Sequence, residues 1–234
     1  MNVVLLPTYN ERDNLPPMVA ALLRIDDLSV LVVDDGSPDG TGRLADELAA
    51  ASSGRVRVLH RQGPRGLGRS YIDGMQEALR AGATLICQMD ADFSHNPADV
   101  PRLCAAAQDA DLVVASRYVP GGEVRNWPWR RRVLSAFANR YVRAITRLPV
   151  QDATSGFRCW RRELLMQLPL NRVVSEGYAF QVEMAWLAHA AGARIDEVPI
   201  TFVERRQGTS KLSPPVILES VVLPWRLAAR PRQR

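Results

Sequence analysis

No stretch of this sequence is both long and apolar enough to cross a bilayer. Spanning takes about 18 uncharged apolar residues, and the best candidate, residues 214–225, is interrupted by Glu219. The N-terminal residues 1–7 lack the basic stretch and long apolar core of a secretory signal. Cysteine is scarce: Cys87, Cys104 and Cys159 lie far apart, with no CxxC pair and no Cys/His cluster. That spacing argues against structural zinc and for three small buried hydrophobes in a reducing compartment. His60, His95 and His189 form no ligand spacing either, and no role is expected of them. Internal repeats and long linkers are absent. The expectation is a soluble or peripheral protein.

What is present is ordinary globular composition. Of 234 residues, 47% are hydrophobic and 24% charged, enough for one large domain with a sizeable core. The net charge of +5 suits phosphate-bearing partners: nucleic acid, nucleotides or anionic lipid. No nucleic-acid-binding motif accompanies it, so nucleic acid is not an expected partner. The first half alternates short apolar runs with helical patterns. Strands are expected over residues 3–6, 30–33, 55–60, 84–89 and 112–115, and helices over 14–24, 42–51, 67–81 and 98–108. Continuous apolar strands separated by helices imply a parallel sheet covered on both faces. Ligands of such sheets sit beyond the carboxyl ends of the strands. The second half is less regular. A long helix is expected over 127–147, where Leu134, Phe137, Tyr141, Ile145 and Leu148 follow the spacing of one apolar face. A second helix is expected over 178–191, a strand over 195–203 interrupted at Pro199, and a terminal amphipathic helix over 216–229, kinked or split by Pro224.

The segments that follow the strands are polar, acidic or glycine-rich. Asp90-Ala91-Asp92 follows a strongly apolar strand, and alternate residues of an extended segment share one side. Two carboxylates there suit a hard divalent ion that bridges to a diphosphate. The plain alternative is an Asp-rich strand-end turn. Asp34-Asp35-Gly36-Ser37 ends the second strand. A carboxylate there accepts from ribose hydroxyls, or from N1–H and N2–H of guanine together. The alternative is an Asx turn with Gly supplying a positive φ. Residues 63–70, Gly-Pro-Arg-Gly-Leu-Gly-Arg-Ser, nearly fit the phosphate loop GxxxxGK[ST], with Arg69 in place of Lys. A helix-entry turn with anion affinity is preferred there to a nucleoside-triphosphatase loop.

The basic residues of interest fall into three groups. Arg125, Arg130, Arg131 and Arg132 surround Trp127 and Trp129. Arg205, Arg206 and Lys211 sit in residues 204–211, and the tail adds Arg226, Arg230, Arg232 and Arg234. Arg grips phosphate with a fork and Lys as a point charge. Interleaved Trp and Arg also suit a membrane interface, where Trp sits at headgroup depth.

Taken in order, these segments resemble the family 2 glycosyltransferases, and among them the dolichol-phosphate (polyprenol-phosphate) mannosyltransferases. The matching stretches are residues 7–16, 33–41, 66–68, 89–97, 116–119, 154–158, 176–181 and 203–205, continuing to 210–212. Each is weak alone; their order and spacing are specific. The resemblance implies an α/β chain with the GT-A nucleotide-diphospho-sugar transferase fold, a mostly parallel central sheet flanked by helices. Residues 1–212 would be the catalytic domain and 213–234 an amphipathic basic tail able to contact a membrane. The implied reaction is inverting transfer of mannose from GDP-mannose to a polyprenyl (dolichyl-type) phosphate, giving the β-linked product. Pro7, Tyr9, Glu11, Val33 and Asp35 would hold the nucleoside. Asp90, Ala91 and Asp92 would sit at the diphosphate and sugar. Mg2+ or Mn2+ would bind at Asp92, with Ser94 where some relatives carry Gln. Arg205 and Lys211 would clamp the diphosphate, with Gly208 as a hinge, and Arg117 and Arg131 would take the lipid phosphate. The implied place is the cytoplasmic face of a membrane, held peripherally or by a membrane-protein partner. The alternatives are glucose or an N-acetylhexosamine from a UDP-sugar onto the same lipid, a phosphate-loop nucleotide hydrolase using residues 63–70, and a non-catalytic binding module. An intact acidic pair facing a basic clamp argues against the last.

Overall fold

The computed structural model describes residues 1–204 and 214–230. The expected alternation is present as β1 (Asn2–Thr8), α1 (Leu15–Leu22), β2 (Leu28–Asp34), α2 (Thr41–Ala50), β3 (Val56–His60), α3 (Leu67–Arg80), β4 (Leu85–Gln88), α4 (Val100–Ala106) and β5 (Leu112–Ser116). The second half follows as β6 (Glu123–Arg125), α5 (Trp129–Thr146), β7 (Arg158–Arg161), α6 (Arg162–Gln167), α7 (Gly177–Ala190), β8 (Ile195–Pro199), β9 (Thr201–Val203) and α8 (Pro214–Ala228).

The main sheet has the order β3-β2-β1-β4-β7-β5-β8 and is parallel except for β7. Its strands bury both faces, as their continuous apolar runs require. Val4, Leu6, Val30 and Val32 point to the face covered by α1, α2 and α4. Val3, Leu5, Leu31 and Val33 point to the face covered by α3 and α7. Antiparallel β7 has no apolar run to announce it, because its first residue is an arginine. Arg158 is fully buried and donates to the carbonyls of Ser155 (2.9 Å), Gln181 (2.7 Å) and Ala153 (2.7 Å). Burial pulls its guanidinium down to about 10, yet these acceptors leave it satisfied. Its neighbour Trp160 donates Nε1–H to Gln88 Oε1 at 2.5 Å, tying β7 to β4.

The strand expected over 195–203 divides. β8 stays beside β5, Ile200 donates its N–H to Ser116 O at 3.0 Å, and β9 leaves the sheet to pair with β6. This detour carries Phe202 and Val203 over the carboxyl edge.

Two expectations need correction. The apolar face of α5 is not all core: Leu134 is 66% and Phe137 64% exposed, whereas Leu148 is buried. The helix packs through Val142, which joins Trp186, Leu223 and Leu227 in a third cluster with α7 and α8. Its N-terminal half projects beyond that cluster. The three cysteines, far apart in sequence, bring their sulfur atoms within 4.8 Å of one another. α8 runs through Pro224 and is fixed to α5 by Tyr141, whose hydroxyl donates to Val221 O (2.8 Å) and accepts from Trp225 Nε1 (2.8 Å). Among the described residues no helix is long and apolar enough to cross a membrane.

Candidate active site

The sheet delivers its polar strand ends to one edge, and β4 contributes the acidic turn. Asp90 is half-buried, and Ala91 and Asp92 are buried. Phe93 sits at φ 62, a left-handed conformation that large side chains rarely adopt. Ser94 N–H donates to Asp92 Oδ1 at 3.0 Å. Tyr71 of α3 donates its hydroxyl to Asp90 Oδ1 at 3.2 Å. Burial, and then the Asp90 charge, push the Tyr71 phenol well above its usual range, so it stays a donor. The Asp90 N–H donates to His95 Nδ1 at 3.3 Å, which places any ring proton of a neutral His95 on Nε2. His95 is buried between Phe157 (5.1 Å between centroids) and Phe202 (5.4 Å). Ser94 Oγ is buried and has no hydrogen-bond partner among the described residues. An orphaned hydroxyl beside a buried carboxylate is an all-oxygen donor set, of the kind that suits a hard divalent ion.

The ends of β1 and β2 form the second part of the edge. Asp34 makes the Asx turn: its Oδ1 accepts from Ser37 Oγ (2.6 Å) and its Oδ2 from Ser37 N–H (3.3 Å), with Gly36 at φ 72. Asp35 is held from the other side. Arg61 pairs with its Oδ1, and Gly66 N–H donates to its Oδ2 at 2.8 Å. The glycine-rich loop thus folds onto the strand ends, and Arg65 lies over the Tyr9 ring, 4.8 Å from its centroid. Glu11 accepts from Asn14 Nδ2 at 2.8 Å and gives its N–H to Thr41 Oγ1 at 3.0 Å. Pro7 is half-buried at the same edge. Val33 points wholly into the core, so only its backbone can serve a ligand.

This geometry overturns the phosphate-loop alternative. The amides that would cradle a phosphate already face carboxylates: Gly66 N–H donates to Asp35, and Gly68 N–H to Glu176 Oε2 at 2.8 Å. The loop has anion affinity at the start of α3, and the anion is the protein's own. Burial raises the Glu176 carboxyl above its usual range, against those same bonds. Arg69 stands 3.5 Å from its other oxygen, a distance of ion pairing rather than of a hydrogen bond.

The third part is basic and aromatic. Arg117, at the end of β5, is buried and forks onto fully buried Asp152 through Nε (2.7 Å) and Nη2 (2.6 Å). Nη2 also donates to Thr154 Oγ1 at 2.9 Å. Burial alone would pull this guanidinium toward neutrality; the Asp152 charge more than reverses that, and its value ends raised. Arg131, on the first turn of α5, donates to both oxygens of Glu204 at 2.7 Å. Both cations converge on buried Trp127, with guanidinium carbons 5.6 Å (Arg117) and 4.1 Å (Arg131) from its ring. Phe202 joins this cluster to the acidic turn, edge-on to Trp127 at 5.3 Å and to His95 at 5.4 Å. Arg130 stacks on exposed Trp129 instead, and Arg132 is exposed.

Arg205 and Lys211, with Gly208, lie outside the described residues. Reading the sequence missed Asp152, Glu176 and His95 as parts of the site. Glu176 and His95 stood inside recognisable motifs; Asp152 stood beside one, and nothing in its neighbours showed that it would be buried against an arginine.

The residues 3–168 match the family described as Glycosyl transferase family 2. A polyprenol monophosphomannose synthase of Mycolicibacterium smegmatis is 49% identical over 232 residues, covering 97% of this chain and 88% of that protein. An undecaprenyl-phosphate mannosyltransferase of Micrococcus luteus is 45% identical over 231 residues, covering 97% and 95%. Glucosyl-3-phosphoglycerate synthase of Mycobacterium tuberculosis, solved with Mn2+, UDP-glucose and phosphoglyceric acid, superposes with a TM-score of 0.67 at 21% identity, covering 99% of this chain and 80% of that one. At that identity the superposition speaks for the fold, the GT-A arrangement of a mostly parallel sheet flanked by helices.

Proposed function

Since this chain belongs to glycosyl transferase family 2, we propose that it transfers mannose, with inversion, from GDP-mannose to a polyprenyl phosphate at a membrane surface. The observation that carries this is the juxtaposition across Phe202. An acidic turn suited to a cation–diphosphate lies on one side, and two arginines on one tryptophan lie on the other. The relatives named for mannosyl transfer to polyprenyl phosphates support the choice of sugar and acceptor.

A phosphate monoester is ionised near neutral pH, so the acceptor needs no general base. The protein's task is placement and charge management. The fork to Asp152 and Thr154 uses Nε and Nη2 of Arg117, so among the described residues both N–H groups of Nη1 remain for a phosphate oxygen. Arg131 reaches the same oxygens by exchanging Glu204 for the acceptor. Asp35 keeps a second lone pair on each oxygen for ribose or guanine donors, and Tyr9, steadied by Arg65, borders that pocket. Tyr71 and His95 hold Asp90 in place. Asp92 and Ser94 would hold Mg2+ or Mn2+, which supplies charge neutralisation for the departing diphosphate when bound. Arg205 and Lys211 are assigned to the same diphosphate.

The exposed ridge of α5 fits the membrane part of this reading. Trp129, Val133 and Phe137 recur at helical spacing and are 69%, 59% and 64% exposed. Trp225 of α8 continues the ridge through its bond to Tyr141, and exposed Arg130, Arg132, Arg140 and Arg226 flank it. An apolar ridge rimmed by arginine suits an anionic lipid surface, as the cytoplasmic leaflet presents.

The test is incubation with radiolabelled GDP-mannose, UDP-glucose or UDP-N-acetylglucosamine, each with a polyprenyl phosphate and Mn2+ or Mg2+. Label from GDP-mannose alone should enter the organic phase. Label from a UDP-sugar alone would overturn the donor assignment, and none from any donor would overturn the acceptor.

A further inference from the structure

Three thiols distant in sequence meet between α4 and the sheet, away from the sugar-transfer edge. Cys87 on β4 and Cys159 on β7 face each other in the antiparallel register, and both are fully buried. Cys104 descends from α4 and is half-buried. All are free thiols. Cys87 and Cys104 Sγ stand 3.7 Å apart, and all three sulfur atoms lie within 4.8 Å of one another. A divalent ion bound by thiolates at about 2.3 Å would set its sulfur ligands about 3.8–4.0 Å apart. The three thiols are therefore near ligand spacing already, whereas a disulfide would require closing to about 2 Å.

We propose that Cys87, Cys104 and Cys159 form a three-thiolate site for a thiophilic divalent cation of the zinc class, with its fourth position toward the half-buried Cys104 side. Charge selects the dication. Three thiolates and a divalent ion leave one net negative charge in the core, whereas a monovalent ion would leave two. Ligand softness separates this site from the oxygen set at Asp92 and Ser94, so the two positions select different metals. Cys104, the half-buried one of the three, is the entry ligand. Binding drives thiol protons to solvent, so affinity rises with pH. The ion would clip α4 to β4 and β7. Cys87 lies just ahead of Asp90, and α4 begins just past the acidic turn, so the clip fixes that turn from both ends.

The site is tested on the full chain, stripped with chelator under reducing conditions and titrated with Cd2+ as the probe. Thiolate-to-cadmium charge-transfer absorption should rise to a plateau at one equivalent per chain. Tm should increase by about 5 °C or more at a hundredfold excess over Kd. Cys104→Ser, near-isosteric at a half-buried position, should fold and bind Cd2+ at least about 100-fold more weakly. Three outcomes overturn the proposal: no charge-transfer absorption at one equivalent, unchanged affinity in Cys104→Ser, or loss of two thiols to a disulfide under mild peroxide with Cd2+ failing to protect them. Carboxylate binding at the acidic turn gives no such absorption, so failure here is distinguishable from failure of the transferase assignment.

Discussion

Removing Asp152 should cost this protein a large share of its stability, and the reason is Arg117. The pair is almost wholly withdrawn from water, with side-chain exposures of 6% for Arg117 and 0% for Asp152. Asp152 takes two side-chain bonds and the backbone N–H (3.0 Å) from Arg117, and a third side-chain bond from the Thr154 hydroxyl at 3.3 Å. At an effective dielectric of 20, opposite charges about 4 Å apart attract by about 4 kcal/mol. Asp152→Ala removes that attraction and leaves a guanidinium in the core, which costs about 3–5 kcal/mol. A domain of this size has about 5–15 kcal/mol in total. Arg117→Met strands the carboxylate instead and should cost a similar amount. The double variant Arg117→Met/Asp152→Leu strands neither charge and should recover most of the loss. Urea unfolding followed by tryptophan fluorescence gives all four corners of the cycle, and the coupling should exceed about 2 kcal/mol. Additive single effects, or an Asp152→Ala loss below about 1 kcal/mol, would refute the buried-pair account and restore Arg117 to service as a simple surface cation.

Arg131→Ala should raise the acceptor KM by about 10–100-fold, from loss of a charged hydrogen bond worth about 1.5–3 kcal/mol, with the donor KM little changed. Initial rates at varied acceptor and fixed donor decide this, and an effect confined to the donor contradicts it. Trp129→Glu with Phe137→Glu should lower binding to anionic vesicles by at least about 10-fold in sedimentation, given about 2 kcal/mol per buried aromatic, while soluble donor hydrolysis is unaffected. The raised Glu176 carboxyl means the folded state holds a proton that the unfolded state has released. Stability should therefore decline as pH rises above the usual glutamate range and level off once the folded group ionises. Glu176→Gln should flatten that decline in urea midpoints taken across the window; an unchanged slope assigns it to another group.

The order of elements through β5 was legible because parallel strands buried on both faces read as unbroken apolar runs. β7 was not. Its Arg158 is satisfied by three carbonyls contributed by the loop before it and by α7, partners that no local pattern displays. The acidic turn and the Trp/Arg segment were legible as residue types at strand and helix ends. Their meeting through Phe202 depended on β9 leaving the main sheet after Pro199. The spacing of Leu134 and Phe137 gave a helix face correctly but not its burial, since periodicity cannot distinguish a core from an exposed apolar ridge. The same limit hid the thiols, because cross-strand pairing and a helix above it are long-range facts.

Diffraction from crystals soaked with GDP-mannose and Mn2+ tests the sugar-transfer site most directly. The account predicts an anomalous manganese peak within bonding distance of Asp92 and Ser94 Oγ, with the diphosphate beside it and guanosine toward Tyr9 and Asp35. Nucleotide bound elsewhere, with no anomalous signal at that turn, would contradict it.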